Sequence, residues 1–312
     1  MNDIILHHYA GSPFSEKVRL VLGMKRLRWR SVTVPVMLPK PDVVALTGGY
    51  RRTPFMQIGA DIYCDSALMC RVIDRIAPEP PLYPHASAGL ADIVAQWADS
   101  SFFWTAVPFT MQPAGAAHIF AGAPPEFLKA FGADRVAMTA SMRRASTADA
   151  GAALGIYLTR LEALLADSRP FLLGALPCIA DFSAAQSIWY IRRAPPIAAV
   201  LAPYPRVLEW YERVTSFGHG ESERMTSDAA IAIAAGADGH APASVGLGLG
   251  FMAGDAVTVV PADYAHDEVA GAVVGLDAHE VVVARSDARA GVVHVHFPRV
   301  GYHIKAARKE ST

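Results

Sequence analysis

Over the first 80 positions short apolar runs alternate with helical periodicity, and that order limits the fold more than any other feature of the chain. Residues 4–9 read as a strand. Phe14, Val18, Val21 and Leu22 recur at helical spacing and predict a helix over 15–25. Residues 29–34 read as a second strand, and Pro39 and Pro41 open a loop and a short helix. Residues 55–58 and 62–64 flank Gly59, Ala60 and Asp61 as a hairpin. Residues 66–77 put Leu68, Val72, Ile73 and Ile76 on one side of a helix. The order βαβ, α, ββα predicts a small mixed sheet with helices on both faces.

Pro78, Pro80, Pro81 and Pro84 then interrupt the pattern, and a domain boundary is expected there. Residues 86–236 read as all-helical. Ile93, Trp97 and Trp104 share one face, Leu154, Leu158, Leu161 and Leu165 another, and Val207, Trp210, Tyr211 and Val214 mark a late helix. Residues 236–250, rich in Gly, Ala and Pro, read as a linker. β-rich runs follow at 256–260, 273–276, 281–285, 292–297 and 302–305, and such closely spaced strands suggest a small SH3-like β-barrel. The expected domains are 1–80 (α/β), 86–236 (all-α) and 250–308 (β-barrel).

With 312 residues, 52% of them hydrophobic and 18% charged, the chain has the apolar surface for more than one core. A formal net charge of -1 leaves no basic excess for nucleic acid or an anionic membrane. No apolar stretch reaches the roughly 18 residues of a membrane span, and no basic leader precedes an apolar run, so a cytoplasmic protein is expected. Cys64, Cys70 and Cys178 form neither a CxxC pair nor a zinc spacing, which points away from disulfides and a structural metal.

The stretch AGSPFSEKVR carries the first strand into the first helix. A helix's first turn has unpaired N–H groups and a partial positive charge, so a hydroxyl or an anion beside it is stabilised. Ser12 stands just before that turn and Ser15 is placed to cap it; both also read as plain caps. A second stretch, RRTPFMQIGADIYCDS, places Thr53-Pro54 ahead of a strand and Asp65-Ser66 at the next helix start. A proline so placed is often cis and leaves the preceding residue free to pair with an extended ligand. Asp65 and Ser66 suit a zwitterionic end, the helix start taking a carboxylate and Asp65 an ammonium. The three spots together suit one small peptide with its thiol near Ser12.

These residues carry a resemblance. Ser12-Pro13-Phe14-Ser15 with Val18-Arg19-Leu20, Thr53-Pro54 and Asp65-Ser66 resemble the thioredoxin-fold domain of cytosolic glutathione transferases of the serine type. Phe171-Leu172-Leu173-Gly174, Pro177-Cys178-Ile179-Ala180-Asp181, and Pro205 with Trp210 resemble that family's helical domain, so the likeness covers about residues 1–236. The resemblance implies a thioredoxin-like domain followed by a helical one, glutathione as co-substrate, no metal, and a two-fold homodimer. It implies that Ser12 steadies the glutathione sulfur as a thiolate, with Tyr9 as the rival activator. Phe14, Lys40, Arg52, Thr53, Pro54, Asp65 and Ser66 are the implied glutathione contacts, with Arg52 and Lys40 as alternatives for the glycyl carboxylate. Serine where related disulfide-exchanging folds carry cysteine argues against glutaredoxin-like chemistry.

A small apolar electrophile is expected between the two domains, against Tyr9, Phe103 and Trp104, although the aromatic cluster Phe102, Phe103, Trp104 and Phe109 also reads as bundle core. Cys178 stands at a cap where the family has Ser or Thr. His294 and His296 share a strand face, but no third metal ligand has an obvious place, so they read as ordinary strand histidines. The β-rich tail is outside the family's usual plan. The leading reading is a glutathione transferase of the detoxification kind; the alternatives are a glutathione-dependent isomerase or lyase, and a non-catalytic scaffold or regulatory protein.

Overall fold

The computed structural model describes residues 3–143 and 145–307; residues 1, 2 and 308 of the expected domain limits lie outside these. The first unit comprises β1 (Ile5–His8), α1 (Pro13–Met24), β2 (Arg28–Thr33), α2 (Pro41–Thr47), β3 (Phe55–Ile58), β4 (Asp61–Cys64) and α3 (Ser66–Ile76). Helices α4 (Ala88–Trp97), α5 (Phe103–Thr110), α6 (Pro113–Ile119), α7 (Pro125–Met138), α8 (Thr147–Leu164), α9 (Ile179–Arg192), α10 (Pro195–Ala198) and α11 (Pro205–Thr215) follow, with a π-helical turn at Ala98–Phe102 between α4 and α5. The chain ends in β5 (Glu221–Met225), α12 (Ser227–Ala235), β6 (Ala256–Pro261), β7 (Val269–Leu276), β8 (Glu280–Asp287), β9 (Gly291–Pro298) and β10 (Tyr302–Ala306).

Among the described residues all ten strands belong to one sheet, in the order β10-β6-β7-β8-β9-β4-β3-β1-β2-β5. Period-2 alternation sorts its residues between two layers. Leu6, Met56 and Tyr63 face α1, α3 and the helical bundle, in the cluster that holds Val18, Leu22, Leu68 and Ile73. Ile5 and Val32 point the other way, onto Ala230 of α12. Phe55, Ile62 and Cys64 share a core with Val43 and Leu46 of α2 and with tail residues Val257, Val283, Val293 and Phe297.

Two expectations need correction. The segment 86–236 is not all-helical, because β5 pairs in parallel with β2 (Arg28↔Glu221 to Val32↔Met225). Its sequence, ESERM, shows no apolar alternation because it is a charged edge, where exposed Arg28 meets Glu221 at 3.3 Å and Arg30 pairs with Glu223. The chain reaches this edge through a turn packed tightly on α1, where a Cβ on Gly23 would lie 2.0 Å from the Gly218 carbonyl. Second, the five tail strands exist but do not stand apart as a barrel. They form an antiparallel run whose last member continues the first sheet, β9 pairing in parallel with β4 (Asp61↔His294, Ile62↔Val295, Tyr63↔His296). In the helical part Ile93 faces outward, at 67% exposure, while Trp97 stacks on Phe102 at 5.3 Å.

Buried polar groups lock the first sheet. The His7 ring stacks on Phe55 at 4.2 Å, and its Nε2 lies 2.9 Å from Gln57 Oε1. Gln57 Nε2 donates to the carbonyls of Gly59 and Ala230, which leaves its oxygen for His7 and puts the proton on His7 Nε2. Burial pushes the His7 pKa down to about 4; the Gln57 bond opposes that shift and nearby His8 adds to it. The unfolded chain therefore takes up a proton near pH 6.5 and the folded one only near 4. Stability from this group is complete at pH 7, falls as pH drops through 6.5, and is smaller by about 2.5 kcal/mol at pH 4.5. The His7 ring resonances should hold their neutral shifts down to pH 5; a midpoint near 6.5 would refute this.

Candidate functional site

Pro13 occupies the first helical position of α1, leaving Ser12 as its N-cap in extended conformation. The Ser12 hydroxyl accepts from the Ser15 backbone N–H at 3.2 Å and donates to the Thr53 carbonyl at 3.4 Å. Ser15 thus supplies the capped N–H, and its own buried hydroxyl has no partner. Ser12 is 2% exposed, and its N–H donates to the Tyr9 carbonyl at 3.2 Å. The Thr53-Pro54 peptide is cis and leads into β3, which brings the Thr53 carbonyl to the mouth of α1. Asp65 caps α3 from a positive φ of 77°, its Oδ1 accepting from Ala67 N–H at 2.9 Å. The buried Ser66 accepts from Lys17 Nζ at 3.3 Å.

The two expected cations lie on the loop side of this pocket. Lys40, 4% exposed, donates to the Arg51 carbonyl at 3.1 Å and to Thr53 Oγ1 at 3.2 Å. Burial, with Arg135 and Arg51 nearby, lowers its pKa to about 8. Arg52 is buried and engaged by the tail: it donates to the Asp263 carboxylate and the Tyr264 carbonyl, and its guanidinium lies 3.8 Å over the Tyr264 ring. Asp65 also faces the tail, its Oδ2 accepting from the Tyr302 hydroxyl at 3.1 Å.

Aromatic rings run from α1 to this tail loop. Phe14 meets Phe103 at 4.6 Å, Phe103 meets Trp104 at 5.0 Å, and Trp104 meets Tyr264 at 5.0 Å. Phe103 thus stands beside Phe14, with the half-buried Trp104 between Phe103 and Tyr264, whereas Phe102 turns into the bundle core against Trp97. Tyr9 is half-buried and packs on the core shared with the tail. The helical bundle secures the loop between them, Arg193 donating to the Gly11 carbonyl at 2.9 Å. A cleft of about 720 Å³ opens elsewhere, bordered by Tyr63, Arg75, Ala241, Glu280 and His296, and none of the expected glutathione contacts lines it.

The family model for the glutathione S-transferase N-terminal domain matches residues 6–81, and that for the C-terminal domain matches residues 145–213. Among solved structures, a GST-like protein from Pseudomonas syringae is 38% identical with a TM-score of 0.81, over 98% of this chain and all of that one. The chain belongs to the glutathione S-transferase family. A glutathione S-transferase from Rhodospirillum rubrum (21% identity, TM-score 0.53) aligns over 68% of this chain and 88% of its own, and shows likeness of fold. The Tau class glutathione S-transferase of mango does the same at 16% identity and a TM-score of 0.51, over 69% of this chain and 89% of its own. Comparison with curated protein sequences gives no match. The Pseudomonas syringae likeness spans nearly the whole chain, so it takes in most of the β-rich tail as well.

Sequence reasoning missed the tail's part in the site. Asp263-Tyr264 reads as a turn and Tyr302 as one end of a strand, yet these residues cover Arg52 and Asp65 from more than 200 positions away. No local signal marks such contacts. The Ser12 cap was legible because a cap is a rule about near neighbours, whereas Asp65, expected to face a ligand ammonium, also caps α3.

Proposed function

We propose that this glutathione S-transferase-family protein is a glutathione-dependent transferase acting on a small apolar electrophile. One observation carries the reading: the Ser12 hydroxyl caps α1 and lies one hydrogen bond from the Thr53 carbonyl. In this reading the cysteinyl backbone of glutathione pairs at Thr53, and Asp65 and Ser66 take its zwitterionic end. Arg52 or Lys40 takes the glycyl carboxylate, and Phe14 packs on the peptide. The sulfur then lies beside Ser12.

A free thiol has a pKa of about 8.5. The Ser12 hydroxyl turns its proton from Thr53 to the sulfur while its oxygen keeps the Ser15 N–H, so serine need not ionise. The helix N-terminus adds its partial positive charge. Lowering the thiol by about two units stabilises the thiolate by roughly 2.7 kcal/mol. The thiol proton passes to water, the sulfur forms a bond to the electrophilic carbon, and the leaving group departs with its electron pair. Tyr9, Phe103 and Trp104 are the proposed wall against which the electrophile is held close to sulfur.

The full chain should bind glutathione in calorimetry and conjugate a generic aryl halide. Ser12→Ala should lower the rate at pH 7 by up to about 25-fold and move the rising limb of the pH profile from about 6.5 toward 8.5, the helix N-terminus keeping part of the shift. An unchanged rate and limb would remove Ser12 from the mechanism, and a limb moved by Tyr9→Phe would assign the role to the tyrosine. The non-catalytic reading has an observation of its own, since tail residues hold Arg52 and Asp65, two groups the peptide needs. Absence of any heat with glutathione would favour it.

A further inference from the structure

The seam between the first sheet and the tail gathers a second set of chemical groups. Asp61 opens β4, His294 sits opposite it in the parallel ladder of β9, and His240 arrives from the segment between α12 and β6. The Nδ1 atoms of His240 and His294 each lie 3.9 Å from the same oxygen, Asp61 Oδ1. The three ligand atoms fall within 4.8 Å of one another. Both Nδ1 atoms are buried and neither has a hydrogen-bond partner, while the two rings stack at 3.6 Å with 12° between their planes. At 3.9 Å neither nitrogen bonds to the carboxylate. Protonated, each is a buried donor without an acceptor; unprotonated, two lone pairs face an anionic oxygen. Both states are costly, and two such orphans in one place need an explanation.

We propose that Asp61, His240 and His294 bind a divalent transition-metal ion, with zinc as the probe ion. With each Nδ1 3.9 Å from Asp61 Oδ1, an ion set among the three atoms comes within a few tenths of an ångström of the usual zinc distance to imidazole and carboxylate ligands, about 2.0–2.2 Å, once the two stacked rings turn toward it. One cation there satisfies both orphan nitrogens and the carboxylate together. Two imidazoles and a carboxylate form a ligand set suited to zinc or iron(II), with a further position left for water or another ligand. Supporting bonds are in place around the carboxylate. Asp61 Oδ2 accepts from Ala241 N–H at 2.7 Å, and Oδ1 is 2.9 Å from His296 Nε2. His296 is in turn fixed by Glu280, 2.5 Å from its Nδ1. Such outer bonds orient a ligating carboxylate. His296, expected from sequence to be no more than a neighbour of His294 on its strand, is a positioning residue in this arrangement, and the two ligands the sequence did not offer, Asp61 and His240, come from β4 and the 236–250 segment. The ion joins three distant parts of the chain, and the site shares no residue with the Ser12 pocket.

The test uses the full, untagged chain, stripped with a chelator and titrated with zinc in calorimetry. One ion per chain is expected, bound at least 30-fold more tightly than by His240→Gln or by His294→Ala. Zinc at about a hundred times its wild-type dissociation constant should raise the thermal midpoint of the wild type by roughly 5 °C and of either variant by no more than about a third of that. X-ray absorption of the zinc complex should show nitrogen and oxygen neighbours at about 2.0 Å. His303→Ala should bind as the wild type does. Absence of a one-to-one site, or a site that survives both His240→Gln and His294→Ala, would overturn the proposal. His240 lies outside regular structure, so its variant reports on binding even if the β9 variant folds poorly.

Discussion

Replacing Asp181 with alanine is expected to lower stability by about 5 kcal/mol. Asp181 stands at the third position of α9 and is fully buried. Its Oδ1 accepts from the Leu172 N–H and from Trp210 Nε1, both at 2.8 Å, and its Oδ2 accepts from the Cys178 N–H at 2.9 Å. Leu172, Cys178 and Trp210 are themselves buried, so alanine strands three donors where water cannot easily follow. A buried group left unsatisfied costs about 1–3 kcal/mol, and three of them account for the figure. Burial pushes the Asp181 carboxyl above the ordinary carboxylate range, while these donors pull it back. Asp181→Asn keeps an acceptor but turns an amide N–H₂ toward a donor, so its loss should fall between wild type and alanine. Urea unfolding of the three proteins gives the order directly. A loss under 1 kcal/mol for alanine would mean that the cap and the α11 tryptophan do not depend on this carboxylate.

The Asp181 arrangement also shows what a sequence can declare. Cys178 and Asp181 are three positions apart and Leu172 is close by, so the motif is local and readable. The same holds for β1, α1 and the β3–β4 hairpin, whose apolar spacing matches the layers that bury them. Reading failed where the partner is remote. The strand β5 carries Glu, Ser, Glu, Arg and Met, a pattern without a buried face, because pairing with β2 at an exposed edge demands only backbone and countercharge. The five tail strands were legible one by one, yet their attachment to β4 was not, since a parallel ladder leaves no turn or linker signature between its members. Within the candidate site, Ser12 announces itself as a cap and Asp65-Ser66 as a helix start. The hold of Tyr264 on Arg52 and of Tyr302 on Asp65, and the meeting of His240 with Asp61, exist only after folding.

The second large loss is expected for Lys17→Met, at about 4 kcal/mol. Lys17 is wholly buried, and its Nζ lies 2.5 Å from Asp99 Oδ2 and 3.3 Å from Ser66 Oγ. It therefore ties α1 to the start of α3 and to the π-helical turn that opens the helical unit. Methionine fills much of the volume but leaves the carboxylate without its countercharge, and breaking a buried pair from one side costs about 3–5 kcal/mol. Asp99 is 19% exposed and keeps the Gln186 amide at 2.7 Å, which holds the loss below the upper end. Burial already pushes the Asp99 carboxyl upward against the pull of Lys17, and removing the lysine must push it further. Folded Asp99 would then bind its proton at a higher pH than the unfolded chain does, so this contribution grows more favourable as pH falls, and the gap between variant and wild type should narrow in acid. The double variant Lys17→Met, Asp99→Asn removes both charges and keeps an acceptor for Gln186, and should recover at least half of the loss. A gap that stays constant with pH, together with a double variant no better than the single, would show that the lysine acts through its packing alone. If the charge pair is the cause, the same lesion reaches the proposed peptide site, because Ser66 loses the donor that fixes its hydroxyl at the mouth of α3.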